Sequence, residues 1–162
     1  MLQLEQSISV KADKHVVWAF LTDISNSMCF NRFHKDLKEM EKYSISPGSE
    51  FFVCHNFGIS DIRMLAKVIS CQPLSNFSIK ESPVKKDQKG LQHTVTFRLE
   101  QSGNKTKIIY LFEGTFGNNL KDIPFRPIMK GVMVEELLRM KHAIESSEST
   151  NIPLKSSGFK PV

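Results

Sequence analysis

The run Leu91–Gln101, LQHTVTFRLEQ, followed by Ser102-Gly103-Asn104-Lys105 and then by Thr106–Phe116, TKIIYLFEGTF, decides the fold. In its first half Leu91, His93, Val95, Phe97 and Leu99 alternate with Gln92, Thr94, Thr96, Arg98 and Glu100. That period of two belongs to a strand with one buried and one wet face. Ser102-Gly103-Asn104-Lys105 supplies the turn, so the two runs read as a long antiparallel hairpin. The second run is apolar on both faces through Ile108, Ile109, Tyr110, Leu111 and Phe112, which predicts a central strand covered twice.

Upstream, strand-like runs occupy Leu37–Tyr43, Ser49–Phe57, Asp61–Gln72 and Asn76–Glu81. They are separated by Ser46-Pro47-Gly48, Asn56-Phe57-Gly58 and Gln72-Pro73-Leu74-Ser75. Gaps this short leave no room for crossover helices, and an antiparallel meander follows. Further back, Leu2, Leu4, Ile8 and Val10 alternate as a first strand. Asp13 is placed to cap a short helix carrying Val17, Phe20, Leu21 and Ile24, and Ser25-Asn26-Ser27 offers a break and a second cap before Met28, Phe30 and Phe33. Downstream, Met129, Met133, Leu137, Met140 and Ile144 form one stripe of a helix from about Pro127 to Ser146, which leaves Gly117–Arg126 as a loop. The stripe must lie against the sheet. From Ser147 the composition turns polar, so a flexible tail is expected over 147–162 beyond a single domain over 1–146.

With 162 residues the chain is long enough to bury one core without staples. The net charge of +5 is spread along the chain, and the densest basic cluster, Lys85-Lys86-Asp87-Gln88-Lys89, has no interleaved aromatics; nucleic acid is not an expected partner. Cys29, Cys54 and Cys71 are far apart and lack a second Cys or His at zinc-site spacing, so neither a disulfide framework nor a metal site is expected. No stretch has the length of a membrane span and the N-terminus does not read as a signal peptide. Together these point to a cytoplasmic protein, a monomer or homodimer, without integral membrane association.

Several runs carry a family likeness: Ser9-Val10-Lys11-Ala12 leading into Val16-Val17-Trp18-Ala19-Phe20-Leu21, then Ser46-Pro47-Gly48-Ser49-Glu50-Phe51, then His93–Glu100 with the Gly103-Asn104-Lys105-Thr106 turn, and finally Met133–Glu145 with its Leu137-Leu138 pair. In this order and approximate spacing the chain resembles the helix-grip (START-like, SRPBCC) superfamily, and within it the bacterial polyketide cyclase and dehydratase branch. The resemblance covers about residues 2 to 146. It implies an α+β fold in which a curved seven-stranded antiparallel sheet, two short helices and one long C-terminal helix enclose a hydrophobic cavity. It also implies binding of a lipid, sterol, hormone or polyketide. It implies no single reaction and no position-matched catalytic residue.

Site residues must therefore come from the chain itself. The expected ligand-binding lining is Met64, His93, Val95, Phe97, Tyr110, Phe112, Met129, Met133, Leu137 and Met140, the inward faces of the long strands and the helix stripe. Methionines suit an adaptable apolar site and equally a plain core. His93 sits in the apolar register of its strand, where an imidazole can act as a general base or be an ordinary satisfied core histidine. Tyr110 can orient a carbonyl or fill volume. Glu136 lies at the edge of the helix stripe, where a carboxyl either faces the pocket with a raised pKa or is solvated. Arg63 can hold an oxyanion or lie on the outer sheet face. No cofactor-binding glycine loop, nucleophile elbow or repeat is present, and no cofactor is expected.

Three functions fit these residues. The first is binding of a hydrophobic small molecule or lipid without strong catalysis. The second is a cyclase, dehydratase or hydrolase using His93 or Glu136 as base and Tyr110 or Arg63 as oxyanion partner, which requires at least two of them to converge on one cavity. The third is an interaction module with a vestigial cavity.

Overall fold

The computed structural model describes residues 1–35, 45–56, 61–85, 91–115 and 119–150. In chain order these form β1 (Leu2–Val10), α1 (Lys14–Thr22), α2 (Ile24–Met28), β2 (His34–Lys35), β3 (Glu50–Asn56), β4 (Asp61–Gln72), β5 (Asn76–Pro83), β6 (Gln92–Ser102), β7 (Lys105–Thr115) and α3 (Asn119–Thr150). The strands build one curled antiparallel sheet in the order β1-β7-β6-β5-β4-β3-β2. β2 through β7 are a meander, and β1 returns to pair with β7 from Leu2↔Gly114 to Val10↔Thr106. A register shift between Val68 and Ser70 in β4 adds to the local bend of the sheet. The predicted strand over Leu37–Tyr43 lies outside the described residues.

The expected hairpin is β6 and β7, with Gln92 opposite Thr115 and Ser102 opposite Lys105. Gly103 takes φ +60 at the first central turn position, a backbone state an L side chain rarely adopts. The inward residues Leu91, Val95, Phe97, Leu99, Ile108, Tyr110 and Phe112 join Val53, Ala66, Val68, Phe77 and Ile79 in one core. On the outer face of β7, Ile109 is buried and Leu111 half-buried, so the second covering predicted for this strand is partial.

Asp13 caps α1, its carboxylate accepting from His15 N–H at 2.8 Å. α2 is capped not by Ser25 to Ser27, as predicted, but by Asp23, which accepts from Ser25 N–H at 3.0 Å. A carboxylate is a strong acceptor for the free amides of a first turn, and Asp23 ends one helix while starting the next. Trp18 of α1 meets Phe77 of β5 edge to face, with centroids 5.9 Å apart.

α3 starts at Asn119, not near Pro127, and so absorbs much of the predicted loop; it also runs four residues past Ser146, to Thr150. Pro124 and Pro127 lie inside it. Both are exposed, at i,i+3 spacing on the solvent side, where a carbonyl left without an amide donor can be hydrated. The stripe Met129, Met133, Leu137, Met140 and Ile144 is buried in the core.

α3 is also fastened along the open edge of β1. Arg126 donates to the Gln3 carbonyl at 3.4 Å, Lys141 donates to the Ser9 carbonyl at 2.7 Å, and Glu145 accepts from the N–H of Lys11, just past the strand, at 2.8 Å, while Thr115 at the end of β7 donates its hydroxyl to Asp122 at 3.0 Å. From Arg126 to Lys141 a helix rises about 22 Å. From Gln3 to Ser9 a strand covers about 20 Å. The two elements keep step, so α3 runs alongside β1 in the same direction. No helix among the described residues is long and apolar enough to cross a membrane.

Candidate functional site

Between α3, the α2 end and the hollow of the sheet lies a cavity of about 30 Å³, room for one or two waters. Its walls are mostly apolar: Met28, Ile79, Leu91, Val95, Phe97, Phe112 and Met129. Its polar groups come from every side, with Asn31 before β2, His34 on β2, His55 on β3, Glu81 on β5, His93 on β6, Tyr110 on β7 and Glu136 on α3.

His93 occupies the inward register of β6, opposite Glu81 in β5 and Gly114 in β7. Its ring stacks on Phe112 with centroids 5.0 Å apart. A Cβ on Gly114 would fall 2.8 Å from His93 Cβ and 3.1 Å from the Phe112 ring, so only glycine leaves the histidine its place. His93 Nδ1 lies 2.9 Å from the Leu91 carbonyl oxygen. That oxygen can only accept, so Nδ1 carries the hydrogen and the neutral ring keeps its lone pair on Nε2. Burial lowers the pKa of His93 and favours this neutral form.

Glu81 is the opposite case. His55 Nε2 and Glu81 Oε2 are 2.6 Å apart, both side chains buried, and His93 Nε2 is 3.7 Å from Oε1. Burial alone would raise this carboxyl. The neighbouring histidines, His93 first and then the hydrogen bond from His55, outweigh it and hold Glu81 at about 2, as an anion. His34 is pushed down to about 4 by burial and then by His55, whose ring centroid is 4.6 Å away.

Glu136 faces the same cavity from the helix. Burial, with a further contribution from the negative charge of Glu81, pushes it up to about 8, against the smaller lowering effect of Tyr110 and Asn31 beside it. At neutral pH it is a carboxylic acid and a hydrogen-bond donor. Its Oε2 is buried and has no hydrogen-bond partner among the described residues. Burial and Glu136 together push the Tyr110 hydroxyl well above its ordinary value, so it too is a donor. The cavity thus holds one ionised and one protonated carboxyl, two carboxyls whose surroundings push them apart.

Of the ligand-binding residues expected from the sequence, the structure brings His93, Val95, Phe97, Tyr110, Phe112 and Met129 to the cavity, with Glu136. Met133, Leu137 and Met140 are buried in the core and Met64 is buried on β4, none of them in the cavity wall. Arg63 is on the outer sheet face with its guanidinium 4.1 Å from the Phe52 ring centroid, and does not reach the cavity. His34, His55 and Glu81 were not singled out from the sequence. The signal for two of them was there: His55 continues the inward alternation Phe51, Val53 in β3, and Glu81 continues Phe77, Ile79 in β5.

The fold and the cavity together define an α+β protein of the helix-grip type with a small, polar-floored pocket. No family model and no curated protein matches the chain. Solved structures do match in fold. A conserved protein from Geobacillus kaustophilus superimposes with a TM-score of 0.69 at 15% identity, over 90% of this chain and 97% of that one. DynU16, from the dynemicin biosynthetic locus, gives 0.62 at 14% identity over 93% of this chain. This chain spans about half of DynU16, 48% of its length. The Aha1 dimer from Colwellia psychrerythraea gives 0.60 at 14% identity, over 90% of this chain and 97% of that one.

Proposed function

We propose that the pocket binds a hydrophobic small molecule carrying a carbonyl group and performs proton transfer on it, chemistry of the cyclase and dehydratase kind. One observation carries this reading: the buried Oε2 of Glu136, without a hydrogen-bond partner among the described residues, faces a cavity that also receives Tyr110 and His93. A buried carboxyl oxygen without a partner costs stability, and a ligand that meets it there is a reason to keep it. Glu136 and Tyr110 donate to the ligand carbonyl oxygen. His93 Nε2, its ring fixed by the Leu91 carbonyl, takes a proton from the carbon beside that carbonyl, and the negative charge passes to the oxygen held by the two donors. Returning the proton to a different carbon completes an isomerisation; attack of the enolate carbon on a second carbonyl of the ligand, with the proton going to that oxygen, closes a ring; and delivery of the proton to a β-hydroxyl as its C–O bond breaks releases water.

The apolar walls hold the carbon skeleton. A cavity of about 30 Å³ is smaller than any such guest, so binding displaces side chains, and the thioethers of Met28 and Met129 are the ones that re-pack most readily. The origin of DynU16 in a biosynthetic locus supports a small-molecule role without naming the compound.

Acetophenone in D₂O is a suitable probe, because its methyl hydrogens exchange slowly unaided and the exchange is read by proton NMR. The full chain is expected to accelerate exchange saturably, and His93→Ala to lose about 100-fold or more of that acceleration. Saturable binding without exchange would leave a carrier. Neither binding nor exchange would leave the cavity without a guest, and the reading would fall.

A further inference from the structure

We propose that His34, His55 and Glu81 form a binding site for one divalent transition-metal ion of the zinc class. Their ligand atoms all lie within 4.8 Å of one another at one end of the cavity. Tetrahedral ligands at zinc distances sit about 3.3 Å apart, so small side-chain motions close the set. The sheet supplies the frame: His34 and His55 are directly opposite across the β2–β3 pair, and Glu81 enters from β5.

Two features point to a cation beyond proximity. First, His34 Nδ1 lies 2.9 Å from the Met28 carbonyl oxygen, which fixes the hydrogen on Nδ1 and leaves Nε2 as the ligating nitrogen. A backbone carbonyl orienting the far nitrogen is the usual outer support of a metal-bound histidine. Second, one oxygen of Glu81 has no close side-chain donor among the described residues. Glu81 is a buried carboxylate with two oxygens, yet the only side-chain donor at hydrogen-bond distance among the described residues is His55, at 2.6 Å. His93 turns its Nε2 toward Oε1 at 3.7 Å, and its hydrogen is committed to Leu91 on the other nitrogen. Among the described residues Oε1 is thus left without a close side-chain donor, and a cation held beside it would supply the missing contact.

On metal binding the His55 hydrogen moves from Nε2 to Nδ1, and the freed Nε2 ligates the ion that takes the hydrogen's place beside Glu81. Imidazole, imidazole and carboxylate leave at least one position open, and the chemistry is that of a Lewis acid toward an oxygen in the cavity. His93 stays outside the ligand set, so this site does not depend on the proton-transfer reading.

The test is titration of Zn²⁺ and of Co²⁺ into the chelator-treated full chain. One equivalent is expected, with Co²⁺ giving visible absorption of low coordination number. In the wild-type protein, nitrogen-correlated NMR should show the rings of His34 and His55 moving on Zn²⁺ addition while those of His15 and His142 stay. His34→Ala and Glu81→Gln should each weaken binding about 100-fold or more, and Cys29→Ser and Cys54→Ser should leave it unchanged. No stoichiometric binding, binding lost in the cysteine variants, or ring shifts confined to His15 and His142 would overturn the proposal. Acetophenone exchange measured in chelator tests the earlier reading separately, since it should survive metal removal.

Discussion

Glu136 is a side chain whose protonation couples function to stability. It is ionised in an unfolded chain above about 4.5 and protonated in the folded one up to about 8, so folding between these values takes up a proton. A raised carboxyl pKa therefore costs nothing below the lower value, costs more with each pH unit through the window, and reaches its full cost above the upper value. The groups that face it are Tyr110 on β7, Glu81 on β5, Asn31 before β2 and Glu135 on its own helix. Glu136→Gln keeps the shape and removes the titration. Its thermal stability should match wild type near pH 4.5 and exceed it at pH 7 by on the order of 3 kcal/mol, while exchange activity falls. Parallel stability curves across that range would mean Glu136 is solvated in the folded protein. Gly114 makes the complementary case, a residue that matters by what it lacks. Gly114→Ala drives a Cβ into His93, and should cost about 1–3 kcal/mol by chemical denaturation and displace the His93 ring signals in NMR.

At the scale of elements, α3 does two jobs with adjacent faces of one helix. Its apolar stripe fills the core while Arg126, Lys141 and Glu145 occupy backbone groups along the outer edge of β1. An uncovered edge strand is a template for pairing with another chain. Lys141→Ala should therefore cost about 1 kcal/mol in stability and raise self-association, read by thermal melts and by sedimentation velocity at several concentrations. Lost stability with no change in association would show that β1 is protected by the rest of the helix. The strands were legible because alternation of two with turn residues between runs is a local signal, and β1, β3, β4, β5, β6 and β7 all fall close to their predicted runs. The start of α3 was not, because Pro127 reads as a first-turn residue wherever the sequence is scanned without its neighbours. What makes it an interior residue is placement on the solvent side of the helix, which depends on where the stripe docks.

The whole molecule explains why the site was only half visible. His93, Tyr110 and Glu136 each stood out as a polar group in an apolar pattern, whereas His34, His55 and Glu81 come together only when the sheet curls and sets β2, β3 and β5 around one hollow. That curl also leaves the cavity, and two methionines from different elements, Met28 of α2 and Met129 of α3, narrow it to about 30 Å³. The size of the hollow is then a property of side chains, and it should be adjustable without changing the fold. Met129→Ala should cost about 2–4 kcal/mol, because the helix and sheet are held apart by the rest of the stripe and cannot close over the gap. The space opened against the apolar wall should take a small apolar molecule, and saturating benzene at 100 times its dissociation constant would return about 2.7 kcal/mol. Melting temperature with and without benzene, in wild type and variant, reads both effects. A variant that loses little stability and gains nothing from benzene would mean that α3 settles onto the sheet, and that the space under it is too pliable to select a guest.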